Sequence, residues 1–580
     1  MKKIIYKLWS SKFWWLLLLI VLIVINIISS LVYFRFDLTK EKRFTLSEAT
    51  TTFVRKLEEP IQIEVYLKGD FPSGFQKMAN TTEDFLMNLK RIEGSKINYQ
   101  FISPLEIFPG TNSVTYRDTL LAMGISPINL TVQLSEGQQQ KLVFPTAIIS
   151  YKGQQAIVNL YPEGNSVVSQ NEINSAEAQL EYQFLKTFHS LLKPAKPLVA
   201  YSVGNGEPTG PETFAIQESL KNNFQLFTFN IAKQTFIPDT FNVLMIVKPS
   251  IQFTEDEKLK IDQFVMRGGN VLFFVDALNA EQDSLRNKMQ TVAYDRNLNL
   301  EDLLFQYGIR INQDLVMDLQ CDFLEFVVGG SASNPQTEFL QWNYFPVFQS
   351  TNSHIINRGL NLLRGQYVNS VDTISANGIK KTILLSSSTN SRTISTPALI
   401  SLNENKMVPQ DEKFNQNSIP VAALLEGSFQ SIYKYRVGKM LKDSLVSLGV
   451  PFKENSPLAN KIIVVADGDF VLNEISSEFG PLPMGWNKYT YTTFSNKSES
   501  GKYFIPMANA NFLKNCLEYL TNDVGIIEAG NKEIAMRLLD SKKVKEQKLF
   551  WQLFNVGFPV IIIVFAGIIF QYFRKRKYTI

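Results

Sequence analysis

At 580 residues the chain is too long for one ordinary hydrophobic core, so roughly two to four domains are expected. A hydrophobic fraction of 45% with 19% charged residues excludes a polytopic membrane protein, and most of the chain must fold in water. A net charge of +4, with no aromatic interleaving of the basic residues and no finger or recognition-helix spacing, excludes a nucleic-acid binder.

Residues 1–12 form a basic tail containing Lys2, Lys3, Lys7 and Lys12. The run 13–34 carries no charge and is long enough to cross a hydrocarbon core of about 30 Å. A cleaved signal peptide needs a shorter apolar core and a small-residue cleavage site. Here the first alanine is Ala49 and the apolar run continues through Phe34, so a retained transmembrane helix is expected.

The segment 37–192 reads as an α+β domain. Thr45 and Glu48 have capping-box spacing, which predicts a helix from there towards Leu57. A half-buried strand is expected over 61–67, a helix over 75–92 and a strand over 97–102. A strand pair over 142–149 and 155–160 turns near Lys152-Gly153, and a helix follows over 172–192. The order β-α-β-β-β-α suggests a thioredoxin-like domain, but Asp70-Phe-Pro-Ser-Gly74 holds no cysteine, so thiol chemistry there is excluded.

Lys193-Pro-Ala-Lys-Pro197 is a stiff linker, after which continuous apolar strands replace alternating ones. Strands are expected at 198–203, 224–229, 243–247 and 271–275, with a helix at 213–222. A second helix opens on the capping box Thr254–Glu257 and ends at Gly268-Gly269. This alternation indicates a doubly wound α/β domain, its first part at 198–307 and its completing part at 451–530, the latter contributing a strand at 461–466 and a helix at 509–520. The intervening 308–450 is strand- and loop-rich. A second apolar run at 549–573 reads as another transmembrane helix, followed by the basic tail 574–580. Both tails are basic and free of acids, which places both termini in the cytoplasm and the large body outside it.

Acidic residues follow three of the expected α/β strands: Gly204-Asn205-Gly206-Glu207, Asp276, and Asp467-Gly-Asp469. Ligands in open α/β sheets sit outside the carboxyl ends of strands, so these residues are candidates for a shared ligand site. The plainer alternative is that Asp and Gly simply make turns and caps; an oxygen-only Ca²⁺ or Mg²⁺ site is a third reading, though no metal and no cofactor is assigned. No phosphate-binding loop and no Gly-x-Ser-x-Gly elbow occurs. Ser431 and Lys434 have Ser-x-x-Lys spacing, a pattern common by chance. Cys321, Cys516, His189 and His354 stand in no nucleophilic or metal-type arrangement, so no catalytic residue is assigned.

Five segments, taken with the two terminal runs, resemble the gliding-motility-associated ABC transporter auxiliary proteins (the GldG type). They are Arg35-Phe-Asp-Leu-Thr-Lys-Glu-Lys-Arg-Phe-Thr-Leu-Ser47, Gly204-Asn-Gly-Glu207, Arg267-Gly-Gly-Asn-Val-Leu-Phe-Phe-Val-Asp276, Ala423-Leu-Leu-Glu-Gly-Ser-Phe429 and Val464-Val-Ala-Asp-Gly-Asp469. One departure is Asn205, which stands where the family often has histidine. The resemblance implies a non-catalytic subunit working with a separate membrane permease and a separate cytoplasmic ATPase. It also implies a glutamine-amidotransferase-like α/β domain without that fold's catalytic cysteine and histidine, and an envelope glycan or protein as ligand. The rival readings are a stand-alone tethered scaffold and a carboxylate-dependent envelope hydrolase.

Overall fold

The computed structural model describes residues 45–103, 120–161, 170–349, 354–402, 411–495, 503–521 and 541–578, with short breaks inside these ranges, and Leu19, Leu22, Ile23 and Asn26 singly. Apart from those four residues, the expected first transmembrane run, with the N-terminal tail and most of the 35–47 motif, lies outside the described residues. The chain divides into two units, Met1–Lys532 and Glu533–Ile580.

The first unit opens with α1 (Glu48–Lys56), whose cap is Ser47 and not Thr45: the Ser47 hydroxyl accepts the Thr50 N–H at 3.2 Å. The capping-box spacing is therefore two residues out of place, because Glu181, on a helix far along the chain, accepts the Ser47 N–H at 2.7 Å in place of Glu48. Next come β1 (Ile61–Val65), α2 (Ser73–Ile92) and β2 (Ile97–Phe101). After them, β3 (Ile128–Leu134) pairs with β4 (Gly137–Val143), and β5 (Thr146–Tyr151) with β6 (Gln154–Asn159). The single strand expected over 142–149 is thus two strands, split at Pro145, which has no N–H to give a ladder. The sheet order is β2-β1-β5-β6, with β1 and β2 parallel and the other pairs antiparallel. The helix α3 (Gln170–Leu192) buries Leu180, Phe184 and Phe188 in the same core as α2 and β1.

The second sheet has seven strands. Parallel strands β7 (Leu198–Val203), β8 (Gln225–Asn230), β9 (Val243–Val247), β10 (Asn270–Phe274) and Asn460–Val465 lie in the order β8-β7-β9-β10-(460–465). Val243–Val247 and Asn460–Val465 are buried at every residue, as strands covered on both faces must be. Two antiparallel strands, Pro420–Gly427 and Ile379–Ser386, extend the sheet beyond Asn460–Val465. They come from the stretch that read only as strand- and loop-rich.

Helices cover both faces. On one, α5 (Glu255–Met266) opens on the anticipated Thr254–Glu257 capping box and packs with α6 (Glu301–Tyr307). On the other lie α4 (Phe214–Leu220) and, late in the chain, the helix Asn509–Thr521. Further described elements include a long hairpin, Cys321–Ser331 with Asn334–Phe348, whose root packs around the buried Trp342. The helices α7 (Lys439–Ser447) and α8 (Lys488–Ser495) precede Asn509–Thr521, which becomes α9.

The second unit contains α10 (Ser541–Tyr578). Its stretch Phe550–Arg576 is long and apolar enough to cross a membrane. Phe550, Phe554 and Phe558 stack along one side at the i, i+4 spacing of neighbours on a helix face.

Candidate functional site

A cleft of about 360 Å³ opens at the carboxyl ends of the parallel strands. It is lined by Gly206, Pro208, Glu212, Lys248, Ser250, Arg296, Gln366, Asp469, Leu472, Asn473 and Glu474. The three acidic turns singled out in the sequence meet here, but in different roles.

The turn after β7 is shaped by its own carboxylate. Glu207 is buried and accepts the Ser202 hydroxyl and the Asn205 N–H, each at 2.7 Å. Asn205 is buried too, donating its amide to Glu257 at 3.2 Å, while its carbonyl accepts the N–H groups of Ser250 and Ile251, each at 2.8 Å. Glu207 and Asn205 therefore hold the turn and do not line the cleft. Gly206 does line it, at φ +77°, and a Cβ there would sit 2.1 Å from the Ser250 hydroxyl. Only glycine fits. Gly204 is also in the left-handed region, at φ +126°.

Asp276 and Asp467 form the buried floor. The Gly468 N–H donates to Asp276 at 2.5 Å, and the Arg296 guanidinium lies 3.5 Å from it. Asp467 accepts the N–H groups of Gln366 and Asp469, each at 2.8 Å. Burial, then repulsion from Asp469, pushes Asp276 up to about 6 against the pull of Lys248 and Arg296. Burial and the neighbouring Asp276 and Asp469 carboxylates hold Asp467 well above the usual carboxylate range. Of the three aspartates, Asp469 alone reaches the cleft wall, where Lys248 holds both of its oxygens at 2.7 and 2.8 Å.

Several lining residues escaped the sequence reading. Lys248 follows β9 directly, one position nearer its strand than Asp276 and Asp467 are to theirs, and adopts φ +45°. The signal available was a polar residue ending an all-apolar strand, and attention to acids alone passed over it. Arg296 and Gln366 arrive from the excursion between β10 and Ile379–Ser386, Glu474 from the segment after Asn460–Val465, and none carries a local signature. Glu474 is fixed from behind by Arg364, a buried guanidinium 2.6 Å from Glu474 and 2.7 Å from Asp322. Such a doubly paired arginine satisfies a charge that burial would otherwise penalise.

The remaining chemistry-bearing residues lie elsewhere. Ser431 donates to Asp262 at 2.5 Å while Lys434 faces Glu454, so the two do not act on one another. Cys321 and Cys516 are buried free thiols that burial pushes up, which disfavours the nucleophilic thiolate. The His354 ring packs against Tyr519, and neither histidine lines the cleft. Among the described residues no group of three or more His, Cys, Asp or Glu is placed to hold a metal.

Residues 196–500, more than half of the chain, match the family described as an ABC-type uncharacterized transport system. Residues 40–150 match a domain of unknown function. An uncharacterized protein of Borreliella burgdorferi is 22% identical over 440 residues, which span 73% of this chain and 79% of that protein. Among solved structures, the mmIFT52 N-terminal domain aligns with a TM-score of 0.29 at 13% identity, covering 56% of this chain and 98% of that one.

Proposed function

The chain belongs to the family of ABC-type uncharacterized transport system proteins, and on that premise we propose that it is a non-catalytic auxiliary subunit of an ABC-type membrane complex. Its water-exposed body binds a ligand or envelope partner in the cleft at the carboxyl ends of the sheet. The observation that carries this reading is the convergence of Gly206, Lys248, Asp469 and Glu474 on one polar cleft at the place where open α/β sheets take ligands. Gly204, Asn205 and Glu207 shape its rim, and Asp276 and Asp467 its floor. An envelope glycan or protein is the ligand class the family resemblance brings.

The partners in this reading are a permease in the membrane and a separate cytoplasmic ATPase, in a system serving gliding motility or envelope export. The apolar run 13–34 and Phe550–Arg576 anchor the body to the inner membrane, with both basic tails in the cytoplasm and the body in the periplasm. The β2-β1-β5-β6 order supports a thioredoxin-like first domain, and helices on both faces of a mainly parallel sheet support an amidotransferase-like second one.

The rival hydrolase reading rests on Glu207, Asp276, Asp467 and Asp469 and needs two of them at the substrate. Asp276 and Asp467 have the raised values such chemistry uses, but both are sealed beneath the cleft, and Asp469 is held by Lys248. Detergent extraction of the tagged full chain tests the assignment. Recovery of an ATPase and a permease in stoichiometric amount is expected; purification of the chain alone, with cells unaffected by its deletion, refutes it.

A further inference from the structure

The seven-stranded sheet ends differently at its two edges. At one edge, Ile379–Ser386 carries Lys380 and Lys381, and its register against Pro420–Gly427 shifts twice between Ile383 and Ser386. Lysines and bulges are what keep an edge from pairing with a further strand. At the other edge, β8 has neither. Gln225-Leu-Phe-Thr-Phe-Asn230 holds no charge and no proline, and it pairs with β7 residue for residue without a shift.

The outer side of β8 is open. The Gln225 N–H donates to the Pro197 carbonyl at 3.0 Å, so Gln225, Phe227 and Phe229 turn their main-chain groups towards β7. Leu226, Thr228 and Asn230 therefore turn theirs outward, where among the described residues no other strand meets them. Phe227 is 42% exposed, and Thr228 is exposed beside it. Phe241 packs edge-on against Phe229 at 5.5 Å and tilts against Phe227 at 6.2 Å, so an aromatic patch borders the open edge on one face.

We propose that β8 pairs antiparallel with β8 of a second copy of this chain, joining two sheets across a two-fold axis at Thr228. The occupant is a strand, because the edge offers a row of main-chain N–H and C=O groups. A second copy fits because the register closes on itself. Thr228 opposite its own counterpart sets Leu226 opposite Asn230 of the second copy, so that outward groups meet outward groups. Phe227 then lies opposite Phe229 of the second copy, on the face that already holds Phe241, and cross-strand aromatic pairs stabilise such a ladder. No like charges are brought together, since the segment carries none. A two-fold contact of this kind uses the same patch on both copies and closes after two. The carboxyl ends of the two sets of parallel strands point in opposite directions, so the two clefts open away from each other. This pairing does not depend on what the cleft binds.

The mass of the purified full chain in detergent, corrected for bound detergent, tests it with substitutions at the axis. A dimer is expected for the unaltered chain. Thr228→Lys sets two ammonium groups face to face and should return the mass to that of a monomer. Thr228→Val, uncharged and well suited to a strand, should keep the dimer, with circular dichroism confirming the fold of both variants. Thr228→Cys should give an intermolecular disulfide on mild oxidation, and Lys380→Cys on the blunted edge several-fold less; the native thiols are buried and do not compete. If the lysine variant loses its fold, the comparison of the two cysteine variants decides alone. A monomeric unaltered chain, a dimer that persists in folded Thr228→Lys, or equal crosslinking at the two positions overturns the proposal. Crosslinking of Thr228→Cys in cells to a different polypeptide overturns it as well, in favour of a partner's strand.

Discussion

The Lys248 ammonium bridges both oxygens of Asp469 at 2.7 and 2.8 Å, joining the strand end of β9 to the turn after Asn460–Val465 across the mouth of the cleft. The pair is the cation's answer to three aspartates crowded at neighbouring strand ends. Without it, Asp469 would face Asp276 and Asp467 with Arg296 offsetting Asp276 and Arg364 offsetting Asp467.

Lys248→Met removes that offset. The expected cost is about 1–2 kcal/mol, below the range for a fully buried pair because both side chains retain some solvent contact. Asp469→Asn in the same chain should recover part of the loss, since it removes the carboxylate left unpaired. Denaturant titration of the full chain in detergent reads both, and additive losses would show that the two residues are not coupled.

Asp276 gives a pH dependence of definite sign. Its folded-state value of about 6 lies above the ordinary 3.8, so the folded protein holds this proton more tightly than the unfolded chain does. The contribution is therefore neutral below about pH 4, and stability falls as pH rises towards 6. Asp467, displaced in the same direction, steepens the fall. Asp276→Asn should flatten the slope and raise stability at pH 7 by about 1–3 kcal/mol. Unfolding midpoints between pH 4 and 8 measure it, and an unchanged slope would count against the assignment.

Gly206→Ala should deform the rim of the cleft. Its Cβ would meet the Ser250 hydroxyl at 2.1 Å, and φ +77° is itself unfavourable for alanine, so a loss of about 1–2 kcal/mol is expected. Removing the obstacle with Ser250→Gly should restore part of that loss, leaving the backbone term. Comparing the double with the two single variants by thermal unfolding separates the terms.

Glu181 of α3 accepts from Ser47 and Thr50 of α1 and its cap, while Tyr182 and Lys186 of α3 bond Glu518 of α9, so a long-range effect on hydrogen exchange is expected. Glu518→Gln weakens the bonds to Lys186 and Tyr182 and should cost about 0.5–1 kcal/mol, a small figure because Lys186 is about one-third exposed. Faster amide exchange should appear in α1 and the end of α9 together, although they are far apart in sequence. Acceleration confined to α9 would show that α3 does not join the two.

Much of the fold was legible because it depends on local repetition. Continuous apolar runs such as Val243–Val247 announce strands buried on both faces, and Thr254 with Glu257 announces a helix start that the structure keeps. The apolar stretch near the C-terminus declares its length directly. The Thr45–Glu48 spacing failed because a carboxylate 134 positions beyond Ser47 supplied the cap partner, and nothing near residue 45 encodes that.

The sequence by itself also determined which strand ends carry Asp276, Asp467 and Glu207. Only the tertiary structure decided that Glu207 turns inward, that two aspartates are sealed as a floor, and that Asp469 alone faces the cleft. It likewise decided that Arg296, Gln366 and Glu474 complete the wall, and that two strands from the unparsed stretch extend the sheet. The physical reason is the range of the forces recorded. Periodicity and capping act over a few residues, whereas burial, ion pairing and sheet register are settled between segments hundreds of positions apart.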